Sequence, residues 1–337
     1  MVPAILCLIA LVLWYLSLHL GLGVWLLERV APAMESIAPL MPGETFPYFF
    51  TMEMFQRALV AAFVITIVAG ILGSFLLIRN MALIGDGIAH VSFGAVAVGL
   101  VMSAAYPLAY ALVFAIISAV IIDELQSRRL LNGDTAIAII MTGMLALGLV
   151  ILRLEQVCVY GVCIGTDAPM GITPVVEAYL YGNLLLIDDL DLDWICSVAF
   201  VSIFLLGAMY NGLLSSAVDP VAARVQGIPV RAISLSFSIV TAVVVVSMVK
   251  IIGALLVTAL LVSPAATAQQ VGKSFRSCML LTQFFGMFAV FVGIYLSAEL
   301  GTGSGAMIAL VAALMFAAVT ITKITFKAFF LARENVN

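Results

Sequence analysis

The chain alternates between long runs of apolar residues and short polar segments. A helix that crosses a membrane needs about 20 consecutive, mostly apolar residues. The runs predict spans at residues 4–27, 57–78, 82–103, 107–122, 135–152, 194–213, 232–249, 251–271, 278–298 and 304–324. The pattern therefore predicts an all-α polytopic membrane protein with roughly eight to ten transmembrane helices.

One of these runs leaves two arrangements open. Residues 232–271 are interrupted only by Lys250, Gly253 and Pro264. The stretch is either two spans, or one span followed by a broken or re-entrant piece.

The composition agrees with a membrane protein. Of the 337 residues, 65% are hydrophobic and 9% are charged, whereas an ordinary soluble domain is about 25% charged. The first run lacks a basic leading region and is longer than the roughly 7–15 residues of a signal-peptide core. We therefore expect a retained N-terminal span, with a removed signal peptide as the alternative.

The basic residues indicate the orientation, because Lys and Arg in short loops mark the cytoplasmic side. With the N-terminus inside, the predicted cytoplasmic segments contain Arg79, Arg128, Arg129, Arg224, Arg231, Lys273, Arg276, Lys323, Lys327 and Arg333. This predicts a multi-pass protein of the cell (plasma or inner) membrane with both termini in the cytoplasm. It also favours two crossings within residues 232–271. The acidic outer loop at 153–193 is either simply solvated or attracts cations or a basic partner.

The stretch IGDGIAHVSFG (residues 84–94) carries the most informative polar pair. Asp86 and His90 are four residues apart, which places them on one helix face. A charge at the bilayer centre costs roughly 2.5–3.5 kcal/mol and usually faces a cavity or a partner. A carboxylate with an imidazole suits first-row divalent cations, but two ligands do not make a tight zinc site. The residues alone leave two interpretations: transient metal ligands, or a helix cap (Asp86) with a hydrogen-bonded His90.

The stretch LSSAVDPVAARVQGIPV (residues 214–230) predicts a short cytoplasmic helix. Asp219 suits the N-cap and Pro220 the first helical position. Gly227 suits the stop, since glycine adopts the left-handed conformation that ends many helices. Such a capped segment between two spans is a candidate contact surface.

The remaining features exclude several classes of protein. No P-loop and no hydrolase signature occurs, so the chain predicts no nucleotide site, no catalytic residues and no enzyme activity. No basic stripe with aromatic residues suggests nucleic acid. His19 is interpreted as a packing or interface histidine. Cys158 and Cys163 of CVYGVC are interpreted as two unrelated small apolar residues, with a disulfide as the alternative.

Four blocks of sequence, in this order, resemble a known family. They are LGSFLLIRNMALIGDGIAHVSFGAVAVGL at 72–100, NGDTAIAIIMTGMLALGLVIL at 132–152, VEAYLYGNLLLID at 176–188, and AVDPVAARVQGIPV at 217–230 followed by KIIGALLVTALLVSPAATAQQV at 250–271. The chain resembles the membrane permease subunits of ABC importers for zinc, manganese and ferrous iron (the ZnuB-type metal permease family). The resemblance covers roughly residues 55–325. It leaves 1–54 as an additional N-terminal transmembrane helix and outer loop, and 326–337 as a cytoplasmic tail.

The resemblance implies a function and a set of partners. The fold would be that of the permeases for metals, siderophores and corrinoids, with a divalent metal as cargo and no tightly bound cofactor. Two separate ATP-binding cassette subunits, an extracytoplasmic metal-binding protein and a second permease copy (identical or a similar paralogue) would assemble with the chain in the lipid bilayer. The family's pathway ligands fall on Asp86 and His90. Its coupling segment falls on Asp219, Pro220, Ala223, Gly227 and Ile228.

Two rival functions remain at this stage. One is a permease for a metal chelate such as a siderophore or corrinoid. The other is a secondary metal transporter or channel that works without ATP.

Overall fold

The computed structural model describes residues 2–102, 107–128, 130–153, 157–159, 162–164, 182, 187–253 and 257–334. The helices are α1 (Val2–His19), α2 (Leu22–Ile37), α3 (Tyr48–Thr51), α4 (Glu53–Ile78), α5 (Ile84–Val101), α6 (Pro107–Ser127), α7 (Gly133–Arg153), α8 (Asp189–Ala208), α9 (Tyr210–Val218), α10 (Pro220–Val225), α11 (Val230–Ile252), α12 (Val257–Val271), α13 (Phe275–Leu300) and α14 (Ser304–Glu334). A 3-10 turn, Ala38–Leu40, follows α2, and two short antiparallel strands are β1 (Val157–Val159) and β2 (Val162–Ile164).

The predicted all-α membrane architecture is confirmed for the described part of the chain. Seven helices are long and apolar enough to cross a membrane by themselves: α4, α6, α7, α8, α11, α13 and α14. The bent pair α1–α2 supplies an eighth crossing if it counts as one span. Of the other two predicted spans, 82–103 corresponds to a shorter apolar helix, α5, and 251–271 to α12, of which 15 residues are described.

The first predicted span, 4–27, is not one straight helix. The chain bends by 56° between α1 and α2, at Gly21, whose φ of 58° is in the left-handed region. The Asp193 carboxylate of α8 accepts hydrogen bonds from the N–H groups of Gly23 (2.7 Å) and Val24 (3.0 Å). A carboxylate at a new helix start satisfies N–H groups that would otherwise lack partners. The break is therefore held by a contact with a distant helix.

The long apolar run at 232–271 is two helices. Gly253, with φ 88° and ψ 155°, ends α11, and α12 begins at Val257. The last helix also departs from expectation. Because α14 continues to Glu334, most of the tail predicted from residue 326 is a continuation of a helix.

Several predictions fall in or near the outer loop. Most of the loop at 153–193, including most of the VEAYLYGNLLLID block, lies outside the described residues, as does Arg129. The register of β1 and β2 places the backbone of Cys158 opposite that of Cys163, but the side chains of both lie outside the described part, so their state stays a prediction. His19 is exposed at the end of α1, and its ring lies edge-on to Tyr15, 4.3 Å between centroids.

Helix α5 lies at the centre of the core. It packs mainly against α7 and α6, and also against α11 and α12. The contact with α7 is close, because a Cβ added to Gly94 would stand 2.3 Å from the carbonyl oxygen of Met144. Small residues allow membrane helices to approach in this way. The buried position of α5 decides the environment of its polar residues.

Each end of the helix bundle has its own cluster of charged residues. Arg79, Arg128, Arg224 and Arg231 lie at one end, here called the arginine end, where α4 and α6 finish and α11 begins. Asp188, Asp189, Asp193 and Glu299 lie at the other, here called the acidic end. There the Glu299 carboxylate accepts hydrogen bonds from the N–H groups of Thr45 (2.9 Å) and Phe46 (2.8 Å). The segment before α4 is thus fastened to the acidic end at two points, by Asp193 and Glu299.

Candidate functional site

The predicted pair Asp86 and His90 lies in the first two turns of α5. His90 Nε2 is 3.6 Å from Asp86 Oδ1, a separation at which charges interact but no hydrogen bond forms. Asp86 is also not the cap of the helix, since Leu83 holds that position without a side-chain bond. The interpretation as a helix cap with a hydrogen-bonded histidine does not fit this geometry. As a carboxylate in the first turn, Asp86 still interacts favourably with the helix dipole.

Both side chains are partly exposed, whereas the helix segment around them is buried. The side chains of His90 and Asp86 are 14% and 30% exposed. Their neighbours Gly87, Ile88 and Ala89 are buried. His90 Nδ1 is buried and has no hydrogen-bond partner within the described residues. His90 Nε2 and Asp86 Oδ1 thus approach each other without a hydrogen bond between them, and both residues are partly exposed.

The hydroxyl of Thr258 is a further polar group beside this pair that was not predicted from the sequence. Its Oγ1 is buried and lacks a hydrogen-bond partner in the described part of the chain. A Cβ added to Gly85 would lie 3.8 Å from this oxygen and 2.7 Å from Leu261 Cδ1. The start of α12 thus packs against the turn that carries Asp86. Threonine is common in apolar helices, so the sequence did not distinguish Thr258 from other threonines, and its position became evident only from the packing.

The part of the chain that the structure describes contains no group of three or more His, Cys, Asp or Glu that could hold a metal ion. Among the described residues, Asp86 and His90 therefore form a pair of candidate ligands without a third. A closed structural zinc site needs four protein ligands. Such a pair suits brief contact with a passing ion better than storage.

The predicted short helix is present as α10. The Asp219 side chain accepts hydrogen bonds from the N–H groups of Val221 (2.9 Å) and Ala222 (3.0 Å), and Pro220 occupies the first turn. Gly227 has φ 79°, and the N–H of Ile228 donates to the carbonyl of Ala223 at 3.0 Å. The predicted cap and stop are therefore confirmed as local structure.

Helix α10 presents an apolar face away from the bundle. Ala223 is 1% exposed and seats the helix on the protein, whereas Val221 and Val225 are 67% and 85% exposed. Their spacing of four residues puts these two valines on one side of α10. Val218, the last residue of α9, is also exposed, at 73%.

The arginine end contains a polar network that was not predicted, since the sequence marked Arg79 only as a topology signal. The Arg79 guanidinium donates to Ser234 Oγ, and Ser234 Oγ donates to Asp123 Oδ1. Ser238 Oγ donates to the same carboxylate oxygen at 3.2 Å. The guanidinium also lies over the Phe237 ring, 4.9 Å from its centroid. Burial lowers the pKa of Arg79, and the charge of Asp123 partly opposes that shift.

The comparison with known proteins identifies the family. The sequence model of the ABC 3 transport family matches residues 51–323. The chain belongs to the ABC 3 transport family. Residues 1–50, which hold α1 and α2, precede the matched region of this family member.

Relatives and a solved structure agree with this assignment. The chain is 30% identical over 261 residues to the manganese transport system membrane protein MntC of Listeria innocua, covering 77% of this chain and 88% of that one. It is 29% identical over 262 residues to the manganese import system permease protein ScaB of Streptococcus gordonii, with the same coverage. The structure of PsaBC from Streptococcus pneumoniae in complex with Fab has a TM-score of 0.67 and 27% identity, covering 82% of this chain and 94% of that chain. These findings confirm the resemblance to permeases of metal ABC importers.

Proposed function

We propose that this permease forms the ion pathway of an ATP-driven importer for divalent transition-metal ions. Asp86 and His90 carry the proposal, because they place a partly exposed carboxylate and imidazole 3.6 Å apart, with no hydrogen bond between them, on an otherwise buried helix. Manganese is the first candidate cargo, because the relatives are manganese permeases and a carboxylate ligand extends the range to that ion. Zinc and ferrous iron are the other candidates.

The geometry of the pair suits an ion in transit. Two ligands 3.6 Å apart, each about 2.1–2.2 Å from an ion, subtend an angle of about 110–120° at it. One cation can therefore bridge Asp86 and His90 without a change of backbone. The carboxylate offsets the cost of moving a dication away from water, and the ion keeps water for its other positions. Because the chain contributes few ligands, the ion leaves readily.

The arginine end is proposed to face the cytoplasm. This follows the preference of Lys and Arg for the cytoplasmic side. The fold supports it, because α1 runs towards the acidic end, where Asp193 caps α2. At the other terminus, Lys323 near the end of α14 donates to Gln270 at the end of α12. Both chain termini then lie in the cytoplasm, and the acidic end faces outwards.

Helix α10 is proposed to be the contact for an ATP-binding cassette subunit. The exposed valines at 218, 221 and 225 provide an apolar surface at the arginine end, and the caps at Asp219 and Gly227 hold its shape. Pro220, Ala223 and Ile228 complete the coupling segment. Two ATPase subunits, a second permease copy and an extracytoplasmic metal-binding protein complete the proposed importer.

Uptake into vesicles tests this function. The permease, co-expressed with its ATPase subunit, is reconstituted into liposomes, and entry of radioactive manganese is followed with and without ATP. We expect entry only with ATP, and its loss in the Asp86→Ala and His90→Ala variants. Zinc and ferrous iron are assayed in parallel to rank the cargo.

The rival functions predict different results in the same assay. Entry that continues without ATP would indicate a secondary transporter. ATP hydrolysis stimulated by a siderophore or corrinoid but by no free metal would indicate a chelate permease. Either result overturns the proposal.

A further inference from the structure

The turn between α4 and α5 connects the arginine end directly to Asp86 and His90, the proposed metal station. Arg79 follows the last residue of α4, and Asp86 lies seven positions later in the chain. Asn80 has φ 54°, and Met81 is fully buried with its N–H bonded to the carbonyl of Leu76 at 2.9 Å. This turn is held firmly by its own backbone. A displacement of Arg79 would therefore also move the beginning of α5.

The Arg79 side chain joins this turn to the helix that follows α10. Its guanidinium donates to Ser234 of α11 and lies over Phe237 of the same helix. Helix α11 begins at Val230, only five positions after the end of α10. Near its start, Arg231 forms hydrogen bonds to both carboxylate oxygens of Glu124, at 2.9 and 2.7 Å. A continuous path of contacts thus runs from α10 through α11 and Arg79 to α5.

In the network of Arg79, Ser234 and Asp123, one donor atom and one acceptor atom have no hydrogen-bond partner among the described residues. Asp123 is 2% exposed. Within the described residues, its Oδ2 and the Nη1 of Arg79 are both buried without a hydrogen-bond partner. Both residues line a cavity of about 370 Å³, which Pro220 and Arg224 of α10 also border. Ser234 stands between the two charges, and a direct Arg79–Asp123 pair would use both spare atoms.

Buried polar groups without partners are costly, and an arrangement that pairs them competes with the observed one. Motion is transmitted between distant sites by structural elements that can adopt two discrete arrangements. Space beside the network allows the change, since the cavity separates it from α10.

We propose that Arg79, Asp123 and Ser234 are positioning residues that couple movement of α10 to the metal station, by exchanging the serine-bridged arrangement for a direct arginine–aspartate pair. This inference rests on the proposed function of α10 and of the Asp86–His90 pair. None of the three residues contacts the ion. They act on transport through the position of α5.

The test measures metal ions transported per ATP hydrolysed in liposomes that contain the permease with its ATPase subunit. Arg79→Gln and Asp123→Asn each leave one charge buried without its partner, and either variant alone risks poor folding. The double variant removes both charges and avoids that problem. We expect it to assemble and hydrolyse ATP within about twofold of the parent, while manganese entry per ATP falls about tenfold.

Arg276→Gln is the matched control. Arg276 is an exposed arginine at the start of α13, away from the cavity and the network. We expect its transport per ATP to equal that of the parent. An unchanged ratio in the double variant would overturn the inference, and so would an equal loss in the Arg276 variant.

A second measurement distinguishes a failure of this inference from a failure of the proposed cargo. Leu83 lies just before α5 and is 46% exposed. In a Leu83→Cys variant, we expect the rate of thiol labelling, corrected for the parent protein, to change when a non-hydrolysable ATP analogue binds the complex. The change should vanish in the Arg79→Gln, Asp123→Asn background. If manganese transport fails in the parent but this response is present and network-dependent, the cargo is wrong and the coupling stands. If the response persists without the network, the coupling is wrong.

Discussion

The Asp86–His90 pair and the Arg79–Asp123 network differ in what their polar atoms bind. Asp86 and His90 are too far apart for a hydrogen bond, and His90 Nδ1 has no partner in the described part of the chain. In the network, by contrast, Asp123 Oδ1 accepts from two serines, and Arg79 donates to one of them. The first cluster makes no hydrogen bond between its two side chains, while the second forms hydrogen bonds that join neighbouring helices.

The comparison shows how to interpret a charge inside a membrane protein. Burying a charged group without a partner is costly, and a hydrogen bond to a charged group contributes about 1.5–3 kcal/mol. Asp123 recovers much of its cost from neighbouring helices. Asp86 does not, because no hydrogen bond to it is formed among the described residues. A visiting cation is the partner that would stabilise it.

The largest expected effect comes from Asp86→Ala. Loss of its carboxylate removes one of two ligands, so uptake should fall by at least the roughly 10–100-fold that follows loss of even a supporting residue at a metal site. Vesicle uptake with normal assembly measures it. The matched control is Ser92→Ala on the same helix, since Ser92 is buried and bonds its own backbone at Ile88. Equal uptake by the Asp86→Ala and Ser92→Ala variants would show that the Asp86 carboxylate has no special role in transport.

Gly94→Leu should act on folding and not on the ligands. Its side chain would collide with the backbone of Met144, where a Cβ alone would stand 2.3 Å from the carbonyl oxygen. Overpacking of this kind costs about 1–3 kcal/mol. We expect a lower thermal midpoint and less assembled protein, whereas Asp86→Ala should not lower the midpoint. Gly143→Ala is the control, because no atom lies within 4 Å of the added methyl. A lower midpoint in Gly143→Ala would contradict the packing explanation.

Gly227→Ala should weaken the coupling segment. Gly227 has φ 79°, and a side chain in the left-handed region costs roughly 1–2 kcal/mol. We expect the affinity for the ATPase subunit to fall about tenfold, measured by titration in detergent, with metal ligands untouched. Gly207→Ala, at an open position with ordinary φ, provides the control. Unchanged affinity would argue against docking at α10.

The smallest expected effect on transport belongs to Asp193→Ala. This variant removes the carboxylate that caps α2, a loss of about 0.5–2 kcal/mol. Hydrogen exchange in residues 22–30 should accelerate, while uptake changes by less than about twofold, because the N-terminal segment precedes the family match at 51–323. Asp193→Asn retains an acceptor and should restore protection. A large loss of uptake would place the N-terminal helices within the transport machinery.

Local signals in the sequence predicted much of the fold and of the site. Apolar runs identified the membrane helices, since hydropathy over one span is a local property. The dipeptide at Asp219–Pro220 and the later Gly227 identified α10, because caps and stops depend on neighbouring residues. The spacing of Asp86 and His90 identified a shared helix face.

Contacts between distant residues could not be predicted in this way. The bend at Gly21 depends on Asp193, and the network depends on Arg79 reaching Ser234 and Asp123. Nothing near Arg79 in the chain distinguishes it from other basic residues that mark topology.

The sequence by itself determined the membrane environment, the order of the helices and which residues could bind a metal, because these depend on side-chain chemistry and on spacing along one helix. Only the tertiary structure decided which polar groups lack partners. In the folded protein, Asp86 and His90 remain partly exposed, and Asp123 accepts hydrogen bonds from two serines. Thr258 packs close to Gly85. Whether a buried charge is satisfied depends on neighbours from several helices, and those neighbours are chosen by packing.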